Sequence, residues 1–483
     1  MPVPLIFDLS APGRRGASFF ESDVPVRPLD ELVPPKFQRK TPPRLPEMSE
    51  GGVVRHFVNL STMNHHIDKG FYPLGSCTMK YNPKVNEQTA RLPGFAEAHP
   101  LAPDEASQGL LWLIHELEQM LAGITGFAGT TLQPAAGAQS ELTGLLVMRA
   151  YHKKHGNNKK TILLPDSAHG TNPASAALTG FKPVMVKSGP DGRIDLDSLR
   201  AAVNEETAGL MVTNPNTLGL YESSIREIVD IIHGVGGLIY MDGANLNALL
   251  GIASPAASGV DMCHINLHKT FSTPHGGGGP GGGCLVVTED LVPFLPVPRV
   301  VKDGEVYRHD WDLPDTIGKI TSFWGNFGVM VRAYTYIRMM GVDGLNRASR
   351  TAIVNANYLF TKIRDLFEVP YEGPFMHECV VSGDSFKANG VKTLDIAKRL
   401  LDFGVYAPTV YFPLIVHEAL MIEPTETESR ETLDHYAALL RVIANEILDE
   451  PEKVLNAPHN TPVGRVDETR AARQLDVRYP FDE

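Results

Sequence analysis

The sequence predicts an α/β fold in which a mostly parallel sheet is covered by helices on both faces, and three features point there. Between about residues 105 and 330, short apolar runs alternate with patterns of helical period. Polar side chains, among them His169, Thr213, Asp242 and Lys269, fall at the ends of those runs, where a parallel sheet presents loops to a ligand. At 483 residues, 43% hydrophobic and 21% charged, the chain can also bury a large core and form two or more domains.

In chain order, residues 1–60 carry ten of the 37 prolines and little periodicity, so an extended arm is expected. Leu5, Ile6, Phe7, Phe19 and Phe20 would otherwise stand in water, which favours an arm that clasps a partner subunit. A large domain, 61–330, follows. It opens with a polar loop, 61–82, in which turn residues separate many hydrogen-bonding side chains. Gln133 to Glu141 introduce a helical pattern at 142–152, and strand-like runs then occupy 161–165, 181–186, 209–213, 237–241, 262–267 and 284–287. Helical patterns at 328–341 and 346–366 lead into a smaller α/β unit, 331–455, with strand-like runs at 378–381 and 420–423 and helices at 392–403 and 426–448. The polar tail, 456–483, belongs on the surface.

Lys269 is the residue on which the chemistry turns. It follows the apolar run from Met262 to Leu267 and precedes the glycines at 276–279 and 281–283, so a buried strand runs into a loop that a ligand can approach closely. A lysine amine attacks an aldehyde only when unprotonated, and its reference pKa of ~10.4 makes burial or a nearby cation necessary. Such a site suits pyridoxal 5'-phosphate (PLP) held as a Schiff base. Lys269 alone could equally be a solvated loop lysine; the surrounding constellation decides.

Asp242 ends the run Gly237 to Met241, one strand–helix–strand step before Lys269. An acid there can pair with a pyridine nitrogen and keep the ring an electron sink, although an acid after a strand often only caps a turn. His169 ends the run beginning at Thr161 and could stack on the ring. Gly137, Ala138 and Gln139 offer small residues and free amides at a helix amino terminus, a phosphate cradle supported by the helix dipole. Thr213 and Asn214, at the end of another apolar run, could reach the cofactor's phenolic oxygen.

The exclusions are equally plain. A net charge of −12, from 44 basic and 56 acidic residues, leaves no footprint for nucleic acid or an anionic membrane. Neither a GxGxxG dinucleotide motif nor a P-loop ending in GK[ST] is present. Cys77, Cys263, Cys284 and Cys379 are too scattered for a disulfide framework or zinc site, and adjacent His65 and His66 make poor zinc ligands; no metal is expected. No apolar run approaches the ~18 residues of a membrane span, and the amino terminus lacks a basic, apolar leader, so a cytoplasmic protein is expected.

Several motifs together resemble the glycine dehydrogenase (decarboxylating) family, the P-proteins of the glycine cleavage system. They are Asn266-Leu-His-Lys-Thr-Phe271 with Pro274-His-Gly-Gly-Gly-Gly-Pro-Gly281, Asp242-Gly-Ala-Asn-Leu-Asn247, His169-Gly-Thr-Asn-Pro-Ala174 and Tyr72-Pro-Leu-Gly-Ser-Cys-Thr-Met-Lys80. The resemblance covers nearly the whole chain. The opening Leu5-Ile-Phe-Asp-Leu-Ser-Ala-Pro-Gly-Arg-Arg-Gly16 is similar to the split form, in which two homologous halves are separate subunits.

That resemblance implies a PLP-dependent fold of type I, like that of aspartate aminotransferase. It implies decarboxylation of glycine with transfer of the aminomethyl group to the lipoyl arm of the H-protein, and a separate subunit 1 in an α2β2 assembly. It adds Asn266 and His268 to the cofactor site beside Lys269, Asp242 and His169. His66, Ser76, Lys80 and His275 are candidates for the substrate side. A PLP decarboxylase that releases a free amine, or a non-catalytic scaffold subunit, are the alternatives.

Overall fold

The computed structural model describes residues 3–18, 20–275 and 281–481. Phe19 and the glycine run from 276 to 280, both used in the sequence reading, lie outside the described residues.

Seven strands form the main sheet: β1 (Gly129–Thr131), β2 (Thr161–Pro165), β3 (Lys182–Val186), β4 (Thr207–Thr213), β5 (Leu238–Gly243), β6 (Met262–Asn266) and β7 (Gly283–Val287). Their order is β1-β7-β6-β5-β4-β2-β3. From β3 to β6 the neighbours run parallel, whereas β7 returns antiparallel to β6 and pairs β1 antiparallel at the edge. The six predicted runs are all strands. β1 escaped because three residues cannot display a period of two.

Strand alternation divides the core between the sheet's two faces. Ile239, Met241, Cys263 and Ile265 join one cluster with Leu113, Leu117 and Leu121 of the helix Gln108–Thr125 and Ile228 and Ile232 of the helix Ile225–His233. Tyr240, Met262 and Leu285 face the other way, onto Leu145 and Met148 of the helix Gly137–Lys154. Each such side chain contributes roughly 1.5–3 kcal/mol by leaving water. The second helix lies so close to the sheet that a Cβ on Gly144 would meet the Tyr240 ring at 2.3 Å.

A hairpin of β8 (Arg299–Asp303) and β9 (Val306–Asp310) follows the sheet. The long helix Phe327–Ile363 then carries the chain into the smaller domain, with a break at Gly341 (φ 59°, ψ −174°) between the two predicted helical patterns. Its first half packs Met330, Val331 and Ile337 on the large domain; its second half packs Leu359, Phe360 and Ile363 on the small one. There β10 (Cys379–Ser382), β11 (Thr409–Val410) and β12 (Ala419–Ile422) form an antiparallel sheet in the order β10-β12-β11, backed by the helices Thr393–Asp402 and Arg430–Asp449.

Two segments differ in detail from the sequence reading. Residues 50–60, expected in an extended arm, begin a helix, Glu50–Met63, because Ser49 caps it by accepting the Gly52 N–H. The loop after it does not stay with the large domain alone: Leu74 pairs with Ile422, and the Glu423 N–H donates to Pro73 O at 3.2 Å. Before Ser49 the chain is largely irregular and leaves Leu5, Val26, Leu29, Phe37, Leu45 and the fully exposed Phe20 (101%) in solvent. Among the described residues no helix is long and apolar enough to cross a membrane.

Candidate active site

Register across the parallel strands assembles the site. Thr213 of β4 pairs with Asp242 of β5, and Asp242 with His264 of β6, so three polar side chains line up at the strands' carboxyl ends. Lys269 lies in the short helix Leu267–Thr270 immediately after β6. A cavity of about 420 Å³ opens above them. Lys269, Asp242, His169, Gly137, Ala138, Thr213, Asn266, His268, Ser76 and His275 all line it, as do Glu141, His264, Asn245, Glu378 and His377, which sequence reasoning did not single out.

Asp242 is held for ionisation. Burial opposes its charge, but His264, the Ala244 N–H at 3.0 Å, the Asn172 amide at 3.1 Å and Lys269 together keep its pKa below the ordinary carboxylate value. His264 is itself oriented. Burial lowers its pKa and raises that of Tyr240, so the phenol donates to Nδ1 at 2.8 Å and leaves Nε2–H toward Asp242 Oδ1 at 3.4 Å. Glu141 completes the group. Burial, then the charge of Asp242, pushes it up to about 7, while Thr171 and Ser175 hydroxyls donate to it at 2.7 and 3.2 Å. The shared proton of this pair therefore resides on Glu141 and the charge on Asp242.

The residues present fit PLP. Thr213 Oγ1 and Asn266 Oδ1 are buried on the cavity wall without hydrogen-bond partners, which is where a polar ligand is called for. The helix Gly137–Lys154 has no side-chain cap on Ala136, so its first N–H groups are open to an anion beside Gly137 and Ala138. His169 sits over the cavity, its Nδ1 tied to Thr171 Oγ1 at 2.8 Å and its ring edge-on to Phe412 at 5.7 Å. Burial lowers its pKa, so it presents a neutral ring. His268 is likewise neutral: burial, then His275 and Lys269, lower it to about 3, and its Nδ1 accepts the Gly282 N–H at 3.1 Å. His275 lies 4.7 Å from His268, ring to ring, and donates from Nε2 to Cys77 O at 2.9 Å.

Four expected site residues do not line the cavity. Gln139 turns back, its Oε1 accepting the Ala135 N–H at 2.7 Å, and so shapes the cradle without entering it. Asn214 is buried and accepts the Glu222 N–H at 2.9 Å; it supports the turn after β4. His66 is exposed on the loop after the helix Glu50–Met63. Lys80 is buried in a closed polar set, with Glu426 at 2.7 Å, Asn247 Oδ1 at 2.8 Å and Thr270 O at 3.1 Å, and these contacts occupy its three donors.

A lysine after one central strand, an ionised acid at the end of its neighbour and a helix amino terminus opening on the same cavity define the class: a PLP enzyme of fold type I. Comparison with known proteins agrees. In structure the chain is similar to a glycine decarboxylase (P-protein) of the glycine cleavage system in inhibitor-bound form, with a TM-score of 0.73 and 20% identity over 86% of this chain and 94% of that one. It is similar also to a TDC of Oryza sativa solved with PLP and tryptamine, with a TM-score of 0.65 and 15% identity over 86% and 91%. In sequence, residues 24–304 match the glycine cleavage system P-protein family and residues 348–462 the glycine dehydrogenase C-terminal domain. A "probable glycine dehydrogenase (decarboxylating) subunit 2" of Chloroherpeton thalassium is 57% identical over 483 residues, which is 99% of this chain and 98% of that one. The chain belongs to the glycine cleavage system P-protein family.

Proposed function

We propose that this chain is the cofactor-bearing subunit of a glycine dehydrogenase (decarboxylating), releasing the carboxyl group of glycine as CO2 and passing the aminomethyl group to the lipoyl disulfide of an H-protein. The observation that carries the reading is the convergence of Lys269, the ionised Asp242 and His169 on one cavity in a chain of this family. PLP, when bound, supplies the electron sink for the pair left behind as CO2 departs.

Each residue then has a physical task. Lys269 would hold the cofactor's aldehyde carbon through its amine, and Asp242 would keep the pyridine nitrogen protonated, since an ionised acid in a buried site favours the adjacent cation. His264 and Tyr240 orient Asp242. His169 would cover one face of the ring and limit water there, and the open N–H groups beside Gly137 and Ala138 would take the phosphate. On the acceptor, one sulfur takes the carbon and the other a proton, so no nicotinamide is needed.

The extended segment before Ser49 suits a clasp on a second subunit, subunit 1 in an α2β2 assembly, because Leu5, Phe20, Val26, Leu29, Phe37 and Leu45 stand exposed there, although Phe7 packs on Tyr479 and Phe481 of the tail. The four free cysteines accord with a cytoplasmic protein. Division into an arm to residue 60, a large domain to 330, a small domain to 455 and a tail is part of the same proposal. An amine-releasing decarboxylase and a non-catalytic scaffold are less favoured, the first by the family and the second by the complete set around Lys269.

The test joins two measurements. Glycine-dependent CO2 exchange is assayed with purified subunit 1 and lipoylated H-protein, and borohydride-reduced protein is mapped by peptide mass spectrometry. The expected results are carrier-dependent exchange and a pyridoxyl adduct on Lys269. Amine release without the carrier, or an unmodified Lys269 in cofactor-loaded protein, would overturn the reading.

A further inference from the structure

A second buried carboxyl pair lies beside the cavity, on the small domain, and one of its members lines the wall. Glu378 precedes β10, Glu423 follows β12, and their side-chain oxygens lie with a His377 ring nitrogen in a group within 4.8 Å of one another. They are held unequally. Glu423 accepts the Thr78 N–H at 3.0 Å, the Thr78 hydroxyl at 2.8 Å and the Asn245 amide at 2.8 Å. Glu378 accepts only the Ser76 N–H, at 2.8 Å on Oε2, while its Oε1 lies 3.7 Å from His377 Nε2, beyond hydrogen-bond reach.

Two carboxyls this close and this buried do not both ionise near neutrality, and the donor count puts the charge on Glu423 and the proton on Glu378. Burial, then the charge of Glu423, pushes Glu378 up to about 8, and burial raises Glu423 to about 7. Glu378 lines the cavity and Glu423 does not. Beside it is His377, only 2% exposed, with Nδ1 buried and unpartnered. Among the described residues lining the cavity there is no arginine, and Lys269 is the only lysine.

We propose that Glu378, as a neutral acid, donates its O–H to the carboxylate of the substrate, with the His377 imidazole beside it, and so selects an α-amino acid over a simple amine. The proposal rests on the glycine-decarboxylating reading above. Its chemical sense lies in what the carboxylate must do. The group loses its charge as CO2 forms, so a guanidinium would stabilise the ground state more than the transition state and oppose the step. A neutral donor orients the carboxylate with less of that penalty, and no proton changes hands. When Glu378 ionises, the donor becomes a like charge facing the substrate. Burial and then Glu423 after β12 raise its titration, and the Ser76 N–H and Lys269 after β6 lower it; His377 and Cys379 along its own segment and Cys77 in the facing loop are the other titratable groups beside it.

The test compares glycine with methylamine, which keeps the amine and lacks the carboxylate. Binding of each to the holoprotein assembled with its partner subunit is followed by cofactor absorbance from neutral to alkaline pH, with each amine's own ionisation corrected. In the wild type, the glycine-to-methylamine affinity ratio should fall by about tenfold per pH unit above about 8. Glu378→Gln should keep a neutral donor and flatten that fall, and Glu378→Ala should lower the ratio at neutral pH with methylamine binding unchanged. Calorimetry in buffers of different ionisation enthalpy needs no variant: above that pH, glycine should draw one more proton into the wild-type protein than methylamine does. An unchanged ratio in both variants, or equal proton uptake with the two amines, overturns this role for Glu378 alone. No response to glycine in the wild type at any pH overturns the glycine reading and this proposal with it.

Discussion

In its proposed role Asp242 would serve a pyridine nitrogen only while ionised, and its neighbours rather than its exposure keep it so. Asp242→Asn should leave the cofactor bound, as seen by absorbance, and lower the turnover roughly 10²–10³-fold, the usual cost of removing one preorganised charge at a reacting centre. Tyr240→Phe acts one step further out. Without the phenol's proton on Nδ1, His264 loses the constraint that points Nε2–H at Asp242. Turnover should fall on the order of tenfold, in line with the effect of orienting partners elsewhere, and urea unfolding should show a cost of about 1–3 kcal/mol for the buried Nδ1 left without its donor. His264 escaped the sequence reading for a physical reason. Flanked by Met262, Cys263 and Ile265, it reads as one polar residue in a buried strand, and only the β5–β6 register sets it beside Asp242.

The element that joins the two domains at the site is the loop from Pro73 to Lys80. Ser76 (φ 65°) and Thr78 (φ 52°) occupy the left-handed region without being glycine, at a cost of about 1–3 kcal/mol each, and the carboxyls of Glu378 and Glu423 bind their N–H groups. Gly75 is required because a Cβ there would meet Met421 at 2.3 Å. Thr78→Val removes a buried donor to Glu423 and should cost about 1–3 kcal/mol in urea unfolding. Lys80→Met should cost more, about 3–5 kcal/mol by the same measurement, because Glu426 is left charged, largely buried and unpaired. Lys80 was a substrate candidate because the loop is polar; its contacts make it a tie between this loop, Asn247 and the start of the last long helix's approach.

At the scale of the whole molecule, buried acids and histidines shape stability in opposite directions. Burial raises Glu118 and Glu378 to about 8 and Glu141 and Glu423 to about 7 from an ordinary 4.5. The folded state therefore holds protons that the unfolded chain releases, and stability falls with rising pH from about 4.5 to about 8. His268 and His377, lowered to about 3 from 6.5, add stability as pH rises, and that gain ends by about 6.5. Above 6.5 only the loss remains. The Tm of the apoprotein should decline between about pH 6.5 and 8, and Glu118→Gln, remote from Lys269 chemistry, should make the decline shallower. Removal of residues 1–48 should change the Tm little and abolish co-purification with subunit 1, since most of that segment's large apolar side chains, among them Phe20, Val26, Leu29, Phe37 and Leu45, are exposed in the isolated chain.

The strands, the lysine and the acid were legible because each is a local signal. Period-two burial, an apolar run ending in a polar residue and a break at Gly341 are written within a dozen neighbouring positions. By itself the sequence determined the α/β class, the sheet's six longer strands and the placement of His169, Thr213, Asp242 and Lys269 at one edge. Tertiary structure alone decided which polar residues meet: His264 with Asp242 and Tyr240, Glu141 with Thr171, Glu378 with Glu423 and Ser76, and Lys80 with Glu426. Those partners lie up to 346 residues apart in the chain, and nothing in a one-dimensional pattern encodes the distance between them. Burial and mutual charge, which fix their protonation, exist only once the two domains close on the loop.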